Sequence, residues 1–177
     1  MSFALSRRPF SRLRATRSLF AASLLMLGAC ADSDESVAGI PRGAADGLYP
    51  QIVVSGSTAP TAEVSVSLLR KPRGVHLGSY QGELTYDPAA LTLQRWSLPA
   101  GAKGAVNAEA AGRIRFVGTA VEGVDEVPLL TLRFERRGAI DRRSFAVTFE
   151  EVSAAADFTD LTPLVYAGSP AVTILPR

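Results

Sequence analysis

The chain has 177 residues, of which 47% are hydrophobic and 20% are charged, a composition typical of a folded globular protein. Five of its 19 basic residues and none of its 17 acidic residues lie in the first 29 positions, so residues 30–177 carry 14 basic and 17 acidic side chains, a net charge of −3. No basic stripe remains beyond residue 29, and this distribution argues against binding to nucleic acid.

The first 29 residues have the organisation of an export signal. An arginine-rich start precedes an apolar run from Leu19 to Ala29, and these 11 residues are too few to span a bilayer as a helix. The run ends in Leu27-Gly28-Ala29-Cys30, which resembles a bacterial lipobox. The resemblance implies cleavage before Cys30, a diacylglyceryl group on its sulfur and a second acyl chain, and two chains hold a protein stably to a membrane. We therefore predict a lipoprotein signal peptide over 1–29, with an ordinary cleaved signal or an uncleaved anchor as the alternatives.

Two details of this segment concern the export route and the destination. Arg7-Arg8 resembles a twin-arginine export motif, although an arginine-rich start contains such a pair by chance, and we favour the general secretory route. Ala31, rather than an aspartate, follows Cys30. In the lipoprotein families that this segment resembles, a residue other than aspartate at this position favours anchoring in the outer membrane over the inner one. We therefore predict an exported protein that is lipid-anchored to the cell envelope through Cys30.

Residues 30–47 show no hydrophobic periodicity and are rich in small and polar residues, so we predict a flexible tether after the lipidated Cys30. From Leu48 to the end of the chain the pattern alternates between apolar and polar residues, which predicts strands with one buried and one solvated face. Turn residues such as Asp87-Pro88 separate the alternating runs. The predicted strands cover 50–56, 62–69, 77–86, 91–97, 103–107, 112–118, 129–136, 144–152 and 170–175.

This pattern of nine or ten short strands predicts an all-β fold over 48–177, either a β-sandwich or a jelly roll. A further short extended piece is expected near 162–166. No segment carries an apolar stripe of helical period, so helical structure is limited to a turn near 108–111 or 152–156.

The run Tyr86-Asp87-Pro88, followed after two further residues by Leu91, is typical of a turn at the end of a strand. Tyr86 packs inward, Asp87 accepts hydrogen bonds from turn N–H groups, Pro88 fixes φ and Leu91 re-enters the core. Residues 78–91 resemble the third strand and following turn of cohesin modules, and 112–118, 129–134 and 170–174 resemble later strands of that family. The resemblance implies a nine-stranded jelly-roll β-sandwich over 48–177. It also implies binding to a dockerin-like protein and a fold similar to that of some carbohydrate-binding modules.

The resemblance places partner binding on the polar face of one sheet. By alternation this face presents four side chains of one strand and two from each of two others: Ser79, Gln81, Glu83, Thr85, Arg113, Arg115, Thr148 and Glu150. An ordinary solvated sheet face with cross-strand ion pairs is the alternative interpretation of the same residues. Binding of a polysaccharide and a purely structural role in the envelope are the alternative functions.

The groups that catalysis or metal binding needs are scarce. His76 is the only histidine and Cys30 the only cysteine, so we predict no enzyme, no cofactor and no metal site. Asp157 and Asp160 lack the spacing of a calcium loop and indicate a polar loop. Glu150 and Glu151 are expected on opposite faces of their strand, which does not suit an acid–base pair.

Trp96 is the residue on which the carbohydrate alternative depends. Carbohydrate-binding modules usually align several exposed aromatic residues, and this chain has a single tryptophan. Trp96 breaks the alternation of Leu91 and Leu93, and a bulge there would bury its ring. We therefore predict that Trp96 belongs to the core, because large aromatic side chains are mostly buried.

Overall fold

The computed structural model describes residues 40, 43–71, 74–125 and 128–176. The predicted signal peptide, the predicted lipidation site Cys30 and most of the predicted tether lie outside these residues. Among those described, no helix is both long and apolar enough to cross a membrane.

Nine strands account for most of the described chain, which confirms the all-β prediction. The strands are β1 (Gly47–Ser55), β2 (Thr61–Lys71), β3 (Leu77–Tyr86), β4 (Leu91–Ser97), β5 (Lys103–Asn107), β6 (Arg113–Val124), β7 (Leu130–Arg136), β8 (Phe145–Ala154) and β9 (Ala171–Leu175). Two short 3-10 helices cover Arg142–Ser144 and Thr162–Leu164. The extended piece expected near 162–166 is therefore wrong. Pro163 lies in the first turn of the second 3-10 helix, where its fixed φ is tolerated. Within this segment only Val165 forms a β-bridge, which is parallel and joins it to Leu48.

The strands form two sheets that pack as a sandwich. The five-stranded sheet has the order β4-β7-β2-β1-β9, and the four-stranded sheet has the order β5-β6-β3-β8. All neighbours within the sheets are antiparallel except β1 and β9, which run parallel. Most neighbours are distant in sequence, so the strand order depends on long-range pairing.

The alternating pattern decides which side chains fill the space between the sheets. In β6, Ile114, Phe116 and Ala120 are buried while the residues between them are largely exposed. Facing them from the five-stranded sheet are buried aliphatic side chains such as Ile52, Val64 and Leu132. The apolar face of each strand thus supplies the core and the other face remains available to solvent.

Tyr80 shows how closely the core is packed around a large side chain. Its hydroxyl donates a hydrogen bond of 3.0 Å to the Leu129 carbonyl oxygen, and its ring fills the space over Gly118. A Cβ atom on Gly118 would lie 2.2 Å from the Tyr80 ring, so only glycine fits there. Gly118 lies within strand β6, which extends to Val124, whereas the sequence predicted that this strand ends at residue 118.

The turn after β3 has the structure that its sequence predicts. The Ala89 N–H donates to the Asp87 carboxylate over 2.9 Å, and the Leu91 N–H donates to the Asp87 carbonyl oxygen over 3.0 Å. Tyr86 packs against Phe134 with ring centroids 4.9 Å apart, and Leu91 is buried.

Strand β4 contains a bulge between Leu93 and Arg95, and the bulge reverses the face on which the following residues lie. It sets Trp96 opposite the buried Leu132, on the core side of the sheet. Trp96 is nevertheless 43% exposed, so its predicted place in the core is wrong. The reason is position: β4 is an edge strand of the five-stranded sheet, where the core ends.

Candidate functional site

The eight side chains proposed from the sequence lie on three adjacent strands of the four-stranded sheet. Strand β3 is central, with β6 on one side and β8 on the other. Glu83 is paired in register with Arg115 and Thr148, and Thr85 with Arg113. Directly paired residues point to the same side of a sheet, so these side chains share its outer surface. We call this surface, with the outward residues of β5, the β5–β8 face.

A network of charges occupies the centre of the β5–β8 face. The Glu83 carboxylate lies 3.3 Å from Arg113 Nε and 3.2 Å from Arg115 Nε. Arg115 Nη2 also lies 3.8 Å from Glu150 Oε1, and Gln81 donates to Glu150 Oε2 over 2.8 Å. The Glu83 side chain is only 17% exposed, whereas both arginines are more than half exposed. Glu83 thus orients two guanidinium groups whose remaining donors face solvent.

Glu150 and Glu151 do not occupy opposite faces as the sequence predicted. The register between β3 and β8 shifts between Gln81 and Gly82, so Gln81 pairs with Glu151 while Gly82 pairs with Phe149. Glu150 is the extra residue of this bulge, and it contacts Gln81 as well. Both carboxylates therefore lie on the β5–β8 face, because a bulge interrupts strict alternation.

An exposed aromatic side chain stands at the margin of the β5–β8 face. Phe158 follows β8 and is 80% exposed, and with Glu150, Glu151 and Asp160 it borders a concavity of about 410 Å³. Its backbone φ is +59°, a conformation that bulky residues rarely adopt. The face therefore combines charges at its centre with an aromatic ring at its edge.

Two aspartates hold the loop that carries Phe158. The Asp157 carboxylate accepts a hydrogen bond from the Thr159 N–H over 3.0 Å, and that of Asp160 accepts from the Thr162 N–H over 2.9 Å. Hydrogen bonds from Thr159 lower the pKa of Asp157, and those from the hydroxyl and N–H of Thr162 lower the pKa of Asp160. The segment is thus a polar loop built on side-chain turns. No group of three potential metal ligands occurs anywhere in the described chain.

Similar folds occur among solved structures. The sixth cohesin of scaffoldin B from Acetivibrio cellulolyticus, solved with a dockerin, matches with a TM-score of 0.53 at 17% identity, over 73% of this chain and 99% of that one. The chain has the fold of a cohesin module. The OlpA cohesin of Clostridium thermocellum, also solved in a dockerin complex, matches with a TM-score of 0.51 at 15% identity. The match covers 73% of this chain and 100% of that one. A non-cellulosomal cohesin from Archaeoglobus fulgidus matches with a TM-score of 0.50 at 16% identity, over 72% of this chain and 91% of that one. No family model and no curated protein matches the sequence.

Several residues of this cohesin-like domain join the β5–β8 face although the sequence did not single them out. Val117, which is 41% exposed, pairs with Gln81 on one side and Ala105 on the other. Lys103 and Asn107 extend the surface onto β5. Their alternation was visible in the sequence, but assigning them to this face required the pairing of β5 with β6.

His76 lies away from the centre of this face, in the segment before β3. Its Nδ1 atom is 2.9 Å from the Asp125 carboxylate, and the two side chains are 52% and 70% exposed. His76 is therefore open to solvent.

Proposed function

We propose that this protein is a recognition module that binds a protein partner through the β5–β8 face. The observation that carries the proposal is the Glu83 network, in which one largely buried carboxylate orients Arg113 and Arg115 on an open sheet surface. Arginines held in this way lose little side-chain entropy on binding, and arginine is enriched at interface hot spots. Half-exposed Val117 adds apolar area beside them.

The margin of the face adds a second type of contact. Phe158 offers an exposed aromatic ring, and the neighbouring carboxylates of Glu150, Glu151 and Asp160 are acidic. An aromatic anchor beside fixed charges is the arrangement that protein interfaces use for affinity and for orientation. A dockerin-like partner is the first candidate, because similar cohesins bind dockerins in their solved complexes.

The same proposal places the domain outside the cytoplasm, anchored by lipid on Cys30. It rests on the lipobox-like end of the signal and on the 16 residues that separate Cys30 from Gly47, where β1 begins. Such a tether lets the domain turn relative to the membrane and meet a partner in different orientations. No catalytic role is part of the proposal.

Charge reversal on the β5–β8 face tests partner recognition. We expect Arg115→Glu to reduce recovery of the partner about tenfold or more in a pull-down from the cognate envelope, because it removes one cation and sets a carboxylate beside Glu83 and Glu150. Arg142→Glu makes the same charge change on the exposed 3-10 helix before β8 and serves as the control. Equal recovery of one specific partner by both variants would contradict the assignment of this face. If no specific partner is recovered even by the unmodified protein, the structural envelope role replaces the proposal.

Cys30→Ser tests the anchor independently of partner binding. We expect the unmodified protein to fractionate with membranes and to incorporate labelled palmitate, and the variant to lose both properties. Partner binding by the solubilised variant should remain unchanged. Membrane association that survives the substitution would contradict the lipid anchor and leave the recognition face unaffected.

Carbohydrate binding is the second candidate function, and the exposed ring of Trp96 supports it. Trp96 lies on the five-stranded sheet, so this function would use a surface other than the β5–β8 face. Loss of glycan binding in Trp96→Ala, with protein recognition intact, would support this candidate. Unchanged glycan binding in that variant would count against it.

A further inference from the structure

Two arginines stand directly opposite each other on the outer surface of the five-stranded sheet. Arg95 on β4 pairs in register with Arg133 on β7, and both side chains are exposed. Within the described residues neither guanidinium has an ion-pair or hydrogen-bond partner. Like charges directly opposite each other on neighbouring strands destabilise a sheet, and an anion bound between the two guanidinium groups would relieve this repulsion.

The bulge in β4 creates this pair. Strict alternation from Leu91 and Leu93 would turn Arg95 towards the core and Trp96 outwards. The extra residue in the bulge, Gln94, reverses that order and brings Arg95 to the outer surface opposite Arg133. Bulges often serve to re-aim a side chain near a functional site.

The paired arginines lie in a shallow, elongated groove. A concavity of about 350 Å³ is lined by Arg95, Arg133, Glu63 and Trp96. It adjoins a second of about 230 Å³ along Ser55 and Thr61, and a third of about 390 Å³ along Gln94 and Glu135; all three include Arg133. The lining is mainly hydroxyl, amide and charged groups. We call this continuous surface the arginine groove.

We propose that the arginine groove binds an acidic polysaccharide, with a sugar carboxylate held between Arg95 and Arg133. Guanidinium groups bind carboxylates through paired hydrogen bonds, and two of them can share one anion. The long, polar and shallow groove suits a chain of hydroxylated rings, and Trp96 borders it at the edge of the sheet. This inference deepens the second candidate function and is independent of the β5–β8 face.

Two carboxylates, those of Glu135 and Glu63, also line the groove and affect how it would bind an anion. Glu135 accepts a hydrogen bond from Gln94 and lies 3.8 Å from Arg137, so its charge is largely compensated. Glu63 pairs in register with Arg133 but forms no ion pair with it in the described structure. Glu63 therefore repels a bound anion, and its removal should strengthen binding.

Calorimetric titration of the full-length protein with polygalacturonate, and with neutral dextran as a reference, tests the site. We expect the double variant R95Q/R133Q to weaken binding of polygalacturonate about tenfold, at a few-fold for each exposed charge contact. The matched control R142Q/R143Q loses the same charge from the 3-10 helix and should bind as the unmodified protein does. Glu63→Gln should tighten binding about twofold, and added salt should weaken it.

Each other outcome overturns a defined part of the proposal. Equal weakening by both double variants would show a general charge effect, and unchanged binding in both would show that Arg95 and Arg133 do not hold the anion. Equal affinity for polyglutamate would overturn the assignment to a sugar, and equal affinity for inorganic phosphate would reduce the site to one for small anions. Binding of dextran that depends on Trp96 alone would preserve carbohydrate binding while removing the arginines from it.

Discussion

Phe158 holds a backbone conformation that disfavours bulky side chains, and it gains little burial in return. Its φ is +59°, its ring is 80% exposed, and its neighbours Asp157 and Asp160 fix the loop through backbone hydrogen bonds. A left-handed conformation costs an ordinary residue about 1 kcal/mol or more. Strain of this kind, kept at an exposed position, is a common mark of a functional site.

Phe158→Asn tests whether this residue is retained for binding. Asparagine tolerates the left-handed region, so we expect the free energy of unfolding to rise by about 0.5–1 kcal/mol while partner binding weakens. Phe158→Ala keeps the strain and should stay within about 0.5 kcal/mol of the unmodified protein. Urea denaturation gives the stabilities; a clear loss of stability in Phe158→Asn would mean that the ring packs usefully in the fold.

Tyr80, unlike Phe158, is buried, and its hydroxyl group has a hydrogen-bond partner in the folded protein. Burial raises its pKa from 10.0 to about 12, so the unfolded chain releases the phenol proton at lower pH than the native protein does. The hydrogen bond to the Leu129 carbonyl oxygen favours the neutral phenol further. The stability gained from this group is therefore complete below pH 10 and declines as the pH rises towards 12.

Tyr80→Phe separates this contribution from the rest of the core. We expect a loss of about 1 kcal/mol at neutral pH, from the buried hydrogen bond. The difference from the unmodified protein should shrink as the pH rises from 10 to 12, because only the unmodified protein carries the shifted phenol. Urea titrations at several pH values measure it. A difference that stays constant over that range would contradict the burial-driven shift.

At the scale of the element, the bulge in β4 controls more than its own geometry. It brings Arg95 to the surface and sets Trp96 opposite Leu132. Deleting Gln94 should remove the bulge and leave Arg95 opposite Arg133, because Leu93, Arg95 and Trp96 then alternate in the register that they already have. We expect the free energy of unfolding to change by less than about 1 kcal/mol, because the same side chains remain buried. Gln94→Ala keeps the chain length, loses one exposed hydrogen bond to Glu135 and should cost less than about 0.5 kcal/mol. A loss of more than about 2 kcal/mol on deletion, measured by urea denaturation, would show that the bulge itself supports the fold.

The elements also show where prediction from sequence works. Alternation located all nine strands, because most of them bury one face against the same core; β5 and β9, at sheet edges, bury their apolar residues only in part. It ended β6 too early at Gly118, since a glycine that makes room for the Tyr80 ring looks in sequence like a strand end. The sequence predicted an extended segment over 162–166, but Pro163 lies in a 3-10 helix over Thr162–Leu164.

At the scale of the molecule, the candidate surfaces depend on strand order, which alternation does not encode. The polar side chains of β3, β6 and β8 could be chosen from sequence, but their meeting around Glu83 depends on pairing over long sequence distances. The arginine groove was not foreseen, because Arg95 reaches the outer surface only through a bulge. Trp96 was misplaced because edge position is a property of the whole sheet.

The parallel pairing of β1 with β9 determines how the molecule bears mechanical load. The chain enters at Gly47, before the paired segment of β1, and leaves after Leu175, which pairs with Ser55 at the far end of β1. Tension between a membrane anchor before β1 and an attachment after β9 would pull these strands in opposite directions along their axes. All five register pairs from Gln51–Ala171 to Ser55–Leu175 would then resist together in shear. Opening such a ladder requires several hydrogen bonds to break at once, so the domain is built to unfold slowly under a pull along the chain.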